Sequence, residues 1–492
     1  MIMTESVDAN TLSPFSDPNY GKDAEAAGHV ITGHPVCSLE NNQNRLTGWV
    51  GTGVILAGAA VLAVCQHPPQ LPFILSQWMP GWVQNSIDWS WEWRHVFIIP
   101  LVFFAMFLVE MLIAKTQRRN FDFKIARPID SSAWKRIGAR WLAVVFCLAL
   151  IACLYAMLGD YSFYIQPYTN EDYLAFYKFS VVALPAIAAC CVPYFWLVER
   201  HARSRAPADE FLILFGCLHR IVKGVFNSAY RADAAAAVKN AHVYNLFRGL
   251  LVKFFFVPLM LGWCIKNWEN WELHSHAFIT VYSPQMFSTL ENIATASISL
   301  HHALFDLLFT LDVTLGLVGY MASVRLLDTQ VNSAEPTLFG WMMALLCYPP
   351  FNHLLTSRYI PHSTHADGDI WTHYHPVLVI AAFAASILLM CIYTWATISF
   401  GLRFSNLTNR GIICKGPYAF VRHPAYICKN ISWWIETMPL RSSSPLLFTF
   451  GLLGLNLIYG LRALTEERHL MREPHYQEYC KKVPWRFIPG VW

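Results

Sequence analysis

Apolar windows long enough to cross a bilayer recur along the whole chain of 492 residues. A window of about 18 to 20 apolar residues spans roughly 30 Å of hydrocarbon as an α-helix. The candidate windows are Gly48–Cys65, Val96–Ala114, Leu142–Leu158, Ser180–Val198, Leu250–Ile265, His301–Val324, Leu338–Leu355, Val377–Phe400, Tyr426–Pro439 and Leu446–Leu461. They predict an all-α, polytopic integral membrane protein with about ten transmembrane helices.

Charge and composition exclude two other classes of protein. Only 14% of the residues are charged and 55% are hydrophobic, whereas charged residues make up about 25% of ordinary soluble domains. A water-soluble globular enzyme is therefore excluded. The net charge is only +4 and the basic residues are scattered, so we expect no nucleic-acid partner.

The charges of the loops predict the orientation of the chain in the membrane. The connection Lys115–Arg140 contains eight Lys and Arg residues, and the segment Arg200–Arg248 contains eight more. The loops Gln66–His95 and Gly159–Phe179 contain one each. Because Lys and Arg concentrate in cytoplasmic loops, this alternation predicts an even number of spans, with both termini in the cytoplasm.

Three regions follow from these patterns. Residues 1–46 are polar and contain no basic segment followed by an apolar one, which predicts a cytoplasmic tail without a cleavable signal peptide. Residues 47–375 form a multi-span membrane region of unknown role. Within it, residues 199–248 are predicted to be a helical cytoplasmic insert with an interfacial amphipathic helix. Residues 376–492 form the third region, which is rich in Gly, Pro, Arg, His, Tyr and Glu between its apolar segments.

Ionisable side chains lie inside several predicted spans, where burial is costly and a functional role is the first hypothesis. They are Glu110, Lys253, His301, His302, Asp306 and Asp312. His302 and Asp306 are four residues apart and share a helix face. They form either a proton path or metal site, or a structural pair at the membrane interface. The loop His362–His375 either binds a divalent metal or is simply solvated, and no metal ligand is assigned.

The first polar block of the C-terminal region precedes an apolar, Trp-rich stretch. Gly416–Tyr426 has the sequence GPYAFVRHPAY. Pro424 is suited to the first turn of a helix, where its missing N–H would have had no intrahelical partner. The free N–H groups of that turn, with Arg422 and His423 beside them, predict a site for an anionic group of a cofactor.

The second block lies at the end of the last predicted span. Arg462 and Glu466 are four residues apart and share a helix face, whereas Glu467 is rotated by about 100° and faces a different neighbour. Two adjacent acids can thus divide two tasks. The alternative is a solvated helix end with a surface ion pair. A short helix and a Pro-bounded tail follow, up to Gly490, and we expect the tail to cap the site.

Taken in order, these blocks resemble the C-terminal part of the membrane-embedded methyltransferases that include isoprenylcysteine carboxyl methyltransferase and the phospholipid methyltransferases. The shared pattern is a Gly-Pro-Tyr turn, an Arg-His-Pro-x-Tyr motif that opens a helix hairpin, Arg-x-x-x-Glu-Glu, Tyr-x-x-Tyr and a final Pro. Gly401–Ser405 and Arg410–Ile412 are also similar to that family. The resemblance covers residues 380–492 and implies that region 376–492 is a methyltransferase-like catalytic module with a helix-hairpin core.

The resemblance implies that S-adenosylmethionine binds at the cytoplasmic membrane surface and methylates a lipid-like or membrane-accessible acceptor. The implied cofactor-binding residues are Lys415, Gly416, Pro417, Tyr418, Arg422, His423, Pro424, Tyr426 and Glu467. Arg462 and Glu466 are implied as catalytic residues beside the acceptor. Arg462 would orient an acceptor carboxylate, whereas Glu466 would accept the proton of an amine or a thiol, and the sequence leaves these acceptors open.

Two other functions stay open. The same scaffold is similar to that of membrane sterol reductases, which bind NADPH and end in a Tyr, Pro, Arg and Pro-Gly pattern such as Val483–Gly490. A proton-coupled transporter or a membrane scaffold is the other alternative, in which His301, His302 and Asp306 would carry the protons. The partners expected under any of these functions are the lipid bilayer and a small hydrophobic ligand.

Overall fold

The computed structural model describes residues 40–64, 98–159, 170–203, 210–238, 241–281, 284–360, 374–437 and 444–491. Most of the predicted tail 1–46 lies outside these residues. The loop Gln66–His95 and most of the loop His362–His375 also lie outside them.

The described residues are predominantly α-helical, as predicted. The longer helices are α1 (Glu40–Val64), α2 (Ile98–Leu108), α3 (Ser131–Gly159), α4 (Asn170–His201), α5 (Glu210–Phe226), α6 (Arg231–Val238), α7 (Ala241–Val281), α8 (Leu290–Met321), α9 (Leu338–Leu345), α10 (Pro376–Phe400), α11 (Pro424–Thr437), α12 (Pro445–Leu470) and α13 (Pro474–Lys482). The short helical segments are Val109–Ala114, Gln117–Asn120, Ser228–Tyr230, Pro284–Phe287, Arg325–Leu327, Asn352–Thr356, Ser357–Tyr359, Gly401–Arg403 and Gly416–Ala419. Strands β1 (Ser333–Ala334) and β2 (Thr408–Asn409) pair antiparallel, with Ser333 opposite Asn409.

Local sequence explains where the helices of the last third begin. Helices α10, α11, α12 and α13 all begin at a proline, which fits the first turn of a helix because no N–H is needed there. The side chains of Thr289 and Thr337 cap α8 and α9 by accepting hydrogen bonds from Asn292 N and Gly340 N. The prediction that Pro424 starts a helix is confirmed.

Among the described residues, five helices are long and apolar enough to cross a membrane, and the protein is an integral membrane protein. They are Ala183–His201, Val243–Ile279, Leu290–Met321, Pro376–Arg403 and Pro445–Leu470. The shorter apolar helices Leu46–Ala60 and Ile98–Ala114 coincide with the first two predicted windows. The count of ten spans therefore stays a prediction.

One predicted window differs from the structure, and a second corresponds to a helix that is short for a membrane span. Leu338–Leu355 is not one helix, because α9 ends at Leu345 and the following segment contains Pro349 and Pro350, which have no N–H to continue it. The window Tyr426–Pro439 corresponds to α11, which has 14 residues. At 1.5 Å per residue, α11 is about 21 Å long, which is shorter than a bilayer core.

Contacts divide the chain into two compact units. Unit 1 contains the described segments Thr116–Tyr155 and Val181–Phe247. Its helices α5 and α6 lie within the predicted insert 199–248, and the cytoplasmic position of this insert stays a prediction. Within this unit the buried carboxylate of Glu199 forms an ion pair with Arg136, at 2.9 Å, and a second one with Arg140.

Unit 2 contains the described residues of Val36–Lys115, Ala156–Ser180 and Arg248–Trp492. In it, helix α10 packs against α8 and against α11. Helix α8 has a glycine, Gly319, against the segment that follows α10. A Cβ at this position would lie 3.0 Å from Phe404 Cβ, so a larger residue would push that segment outward. The small residue lets the loop after α10 lie directly on α8, and this loop carries the candidate site.

Polar residues at membrane depth find partners on other helices. Glu110 accepts a hydrogen bond from Thr47, at 2.7 Å. The spacing had predicted that Asp306 pairs with His302, but the structure gives it another partner. It lies 2.5 Å from His274 Nδ1 of α7, which the sequence analysis did not consider. Within the described parts of the chain, no group of three or more His, Cys, Asp or Glu side chains is arranged to hold a metal ion.

Candidate active site

The loop that leads from α10 into the site is held by a buried arginine. The guanidinium of Arg410 donates to three backbone carbonyls, those of Thr329 at 2.8 Å, Gly319 at 2.7 Å and Phe404 at 2.9 Å. Burial lowers the pKa of Arg410 to about 9. Its Nη2 group is buried and donates no hydrogen bond to the described residues. The arginine both orders the loop and retains an unused donor.

The Gly-Pro-Tyr turn packs against α10 and forms the 3-10 segment Gly416–Ala419. Gly416 has φ +68°, and a Cβ there would overlap Ser399 Oγ, so the position requires glycine on two counts. The hydroxyl of Tyr479 donates to the carbonyl oxygen of Tyr418, at 2.7 Å. The turn is thus clamped between α10 and α13.

The Arg-His-Pro motif pairs with the C-terminal tail through its backbone. The N–H of Arg422 donates to the carbonyl of Trp485, and the N–H of His423 donates to that of Arg486, both at 2.9 Å. The Arg422 side chain donates to Cys480 Sγ at 2.9 Å and to the carbonyl of Pro484 at 3.2 Å. The tail therefore packs on the motif, and its role as a cap of the site stays a prediction.

The carboxylate of Glu467 lies at the centre of a buried cluster of cationic and imidazole side chains. Its Oε1 is 3.2 Å from both Arg422 Nε and His423 Nε2, and its Oε2 accepts a hydrogen bond from Arg486 Nε at 2.9 Å. The Glu467 side chain is 6% exposed. An anionic group of a cofactor was predicted beside Arg422 and His423, and in the structure both side chains contact the Glu467 carboxylate instead. The cluster ties α12, the start of α11 and the tail together.

The carboxylate of Glu466 belongs to a separate cluster. It accepts hydrogen bonds from Arg462 Nε, at 3.2 Å, and from the hydroxyl of Tyr426. Arg462 is 2% exposed and donates to Asn406 Oδ1 at 2.8 Å. Its guanidinium also lies over the rings of Tyr348, Tyr426 and Tyr459, with centroids 5.0–5.8 Å away. A solvated surface ion pair, the alternative interpretation, is therefore wrong.

A cavity of about 190 Å³ opens beside the second cluster. Of the residues predicted for the site, six line it: Tyr418, Arg422, His423, Tyr426, Arg462 and Glu466. The remaining five, Lys415, Gly416, Pro417, Pro424 and Glu467, are not among its lining residues. Gly416 and Glu467 act indirectly. Gly416 lets the Gly-Pro-Tyr turn pack against α10, and Glu467 holds Arg422 and His423 in the ion cluster.

Several lining residues were missed by the sequence analysis. They include Lys429 of α11, Asn406 and Arg410 of the loop, Tyr348, and the pair Glu335 and His469. Lys429 had a usable signal, because it is a charged residue inside a predicted span. Asn406 and Tyr348 had none, since only tertiary packing brings them to Arg462.

The cavity wall is cation-rich and aromatic. Its basic side chains are Arg403, Arg410, Arg422, Lys429 and Arg462, and its acidic ones are Glu335 and Glu466. Its tyrosines are Tyr348, Tyr393, Tyr418, Tyr426, Tyr459, Tyr476 and Tyr479. Such a wall attracts a ligand with anionic groups and offers ring faces to a cationic one.

The site lies mostly within a segment that has known relatives. Residues 377–472 match the isoprenylcysteine carboxyl methyltransferase family. This segment contains both acids, Arg462 and the Arg-His-Pro motif, and it coincides with the resemblance seen in the sequence. The match supports a membrane methyltransferase and leaves the acceptor open.

A second comparison points to another chemistry. The Delta(14)-sterol reductase of Mus musculus is 33% identical over 86 residues, which are 17% of this chain and 21% of the reductase. The match thus spans about a fifth of that relative's length. No solved structure matches the chain.

Proposed function

We propose that the protein is an S-adenosylmethionine-dependent methyltransferase that acts on a lipid-like acceptor at the cytoplasmic face of the membrane. One observation carries the proposal. Two neighbouring acids of α12 divide between a buried ion cluster and the wall of a single cavity, and both lie in the segment that matches the methyltransferase family.

The residues on the cavity wall fit the groups of this cofactor. S-adenosylmethionine carries a sulfonium cation and a carboxylate. Seven tyrosine rings suit a sulfonium, since aromatic faces attract cations. The buried Nη2 donor of Arg410 suits a carboxylate, because an unused buried donor is costly until a partner arrives. Arg410, Tyr418 and Tyr426 are the residues that we expect to hold the cofactor.

The chemistry that the cofactor supplies is a methyl group bonded to a positively charged sulfur. The chain's own task is to align the acceptor and to exclude water, since the displacement requires an in-line geometry more than a strong base. Arg462 is held rigidly by Asn406 and Glu466 and can orient an acceptor carboxylate. For an amine or thiol acceptor, the Glu466 carboxylate can accept the proton that leaves the nucleophile.

A second candidate function is an NADPH-dependent reductase of the sterol-reductase type. The 33% identity to Delta(14)-sterol reductase favours it. The same excess of arginine side chains on the cavity wall would then receive the phosphates of the dinucleotide. The two functions differ in the cofactor, and so a binding experiment separates them.

The experiment is calorimetric titration of the detergent-purified protein with S-adenosylhomocysteine and, separately, with NADPH. We expect S-adenosylhomocysteine to bind. We expect Tyr426→Leu, which removes a ring face, to weaken the binding of S-adenosylmethionine, because that face would hold the sulfonium. Glu478→Gln, a change on the exposed face of α13, should leave the binding of both compounds unchanged. Binding of NADPH alone would transfer the proposal to the reductases. Binding of neither would reject both and favour the transporter alternative with His301, His302 and Asp306.

A further inference from the structure

Lys429 is a cation of the cavity wall that the proposed chemistry does not use. It lies three residues after Tyr426 on α11, so the two side chains share a face of that helix. Both line the cavity. The ammonium of Lys429 lies over three rings, with centroids 5.2 Å away for Trp433, 5.4 Å for Phe309 and 5.6 Å for Tyr393.

The ammonium makes no hydrogen bond or ion pair with the described part of the chain. Asp312 acts on it electrostatically. However, the Asp312 oxygens already accept hydrogen bonds from the hydroxyl of Tyr393, at 2.7 Å, and from that of Thr397. An ammonium has three donors and no acceptor, and Lys429 is half-buried on the cavity wall. Lys429 is therefore held in place with its donors unused.

The surroundings of Lys429 hold its ammonium in place and leave its N–H donors available to a ligand. Three ring faces fix the ammonium by cation–π attraction without consuming its N–H donors. The negative charge of Asp312 favours the charged form of the lysine, whereas the apolar surroundings oppose it. A lysine with a purely structural role would be expected to donate to a carboxylate or carbonyl, as Arg403 does to Asp328 at 3.0 Å.

We propose that Lys429 determines acceptor specificity by binding an anionic group, so that the acceptor is an anionic amphiphile with a carboxylate or a phosphate. This inference rests on the proposed function, because it uses the same cavity. The apolar part of the acceptor would lie along the aromatic side chains, with its anionic group on Lys429. Neutral amphiphiles would leave the ammonium without partners and would bind more weakly.

The test uses the full chain in nanodiscs of phosphatidylcholine and three probes with the same chain: oleate, monooleyl phosphate and oleyl alcohol. Apparent affinities are measured from the rise in unfolding temperature with probe concentration. The wild type should bind at least one anionic probe about tenfold more tightly than the alcohol. The stronger of the two anions identifies the headgroup chemistry.

Variants sharpen the test. Lys429→Met should remove the preference for anionic probes, Lys429→Arg should keep most of it, and binding of the alcohol should change little in either. Lys223→Met is the matched control, because Lys223 also lies over an aromatic ring, that of Tyr230 at 5.7 Å, but does not line the cavity. We expect it to behave as the wild type.

The outcomes separate this inference from the proposed function. S-adenosylhomocysteine binding is measured on the same samples. If it binds but the wild type shows no preference for anionic probes, the role of Lys429 is rejected and the methyltransferase proposal stands. If it does not bind, the methyltransferase proposal fails, while an anion preference lost in Lys429→Met still supports an anion-binding lysine. If Lys429→Met does not fold, Lys429→Gln replaces it, and an anion preference that persists in this variant would reject the role of Lys429.

Discussion

Glu466 and Glu467 are neighbours in sequence, yet they occupy opposite environments. Glu467 is 6% exposed, contacts two arginines and a histidine, and does not line the cavity. Glu466 is 25% exposed, contacts one arginine and one tyrosine, and lies on the cavity wall. A rotation of about 100° per residue turns one acid into a structural junction and leaves the other available to a substrate. Position on the helix, and not residue type, divides the two roles.

The largest effect that would sharpen this comparison is expected for Glu467→Ala. Removing the carboxylate leaves Arg422, His423 and Arg486 without an anion in a buried place, which should lower the free energy of unfolding by about 3–5 kcal/mol. The measurement is an unfolding titration of the detergent-solubilised protein. Glu466→Ala should cost about 1 kcal/mol in the same assay. Equal losses in the two variants would contradict the division of roles.

Glu466→Gln should affect turnover and not folding. If Glu466 accepts the proton of the acceptor, transfer of labelled methyl groups from S-adenosylmethionine to a membrane lipid extract should fall about a hundredfold. Binding of S-adenosylhomocysteine should persist. Glu478→Gln, a carboxylate removed from the exposed face of α13, is the control. Full activity of Glu466→Gln would mean that the acceptor needs no base at this position.

Gly416→Ala should produce an intermediate loss of stability. The positive φ and the contact with Ser399 should together cost about 1–3 kcal/mol. In the background of Ser399→Ala, the same substitution should cost less, because the obstructing oxygen is gone and only the backbone strain remains. Strict additivity of the two changes would show that Ser399 is not the obstacle.

The smallest effect is expected for Arg486→Ala. The Arg486 side chain is 30% exposed, and Glu467 keeps its contacts with Arg422 and His423, so the loss should be about 1 kcal/mol or less. Hydrogen exchange should show faster opening of the backbone bonds between residues 422–423 and 485–486. Unchanged exchange there would mean that the side chain does not hold the tail.

Sequence reasoning succeeded where a local pattern determines the answer. The predominantly helical fold, the proline that starts α11 and the rotation between Glu466 and Glu467 all depend on residues close in sequence. It failed where a partner comes from elsewhere in the chain. Asp306 was assigned to His302, four residues away, but the structure pairs it with His274, 32 residues away.

The same reason explains the incomplete picture of the site. Asn406 and Tyr348 reach Arg462 across separations of 56 and 114 residues, and nothing in their own neighbourhoods indicates this. The window Leu338–Leu355 illustrates the opposite error. Its residues are apolar, as the prediction assumed. However, the prediction ignored that Pro349 and Pro350 interrupt a continuous helix.

The pairing of the tail with the Arg-His-Pro motif has a consequence for biosynthesis. Arg422 reaches the carbonyl of Pro484, 62 residues further along, and all of α12 lies between them. Because a chain leaves the ribosome at about 5–20 residues per second, α11 can be in place for several seconds before Arg486 exists. Glu467 itself is made only 19 residues before Arg486, and when it appears the cavity still lacks Tyr476 and Tyr479. Assembly in the membrane therefore precedes completion of the candidate site, and an interrupted chain would be inserted but incompetent.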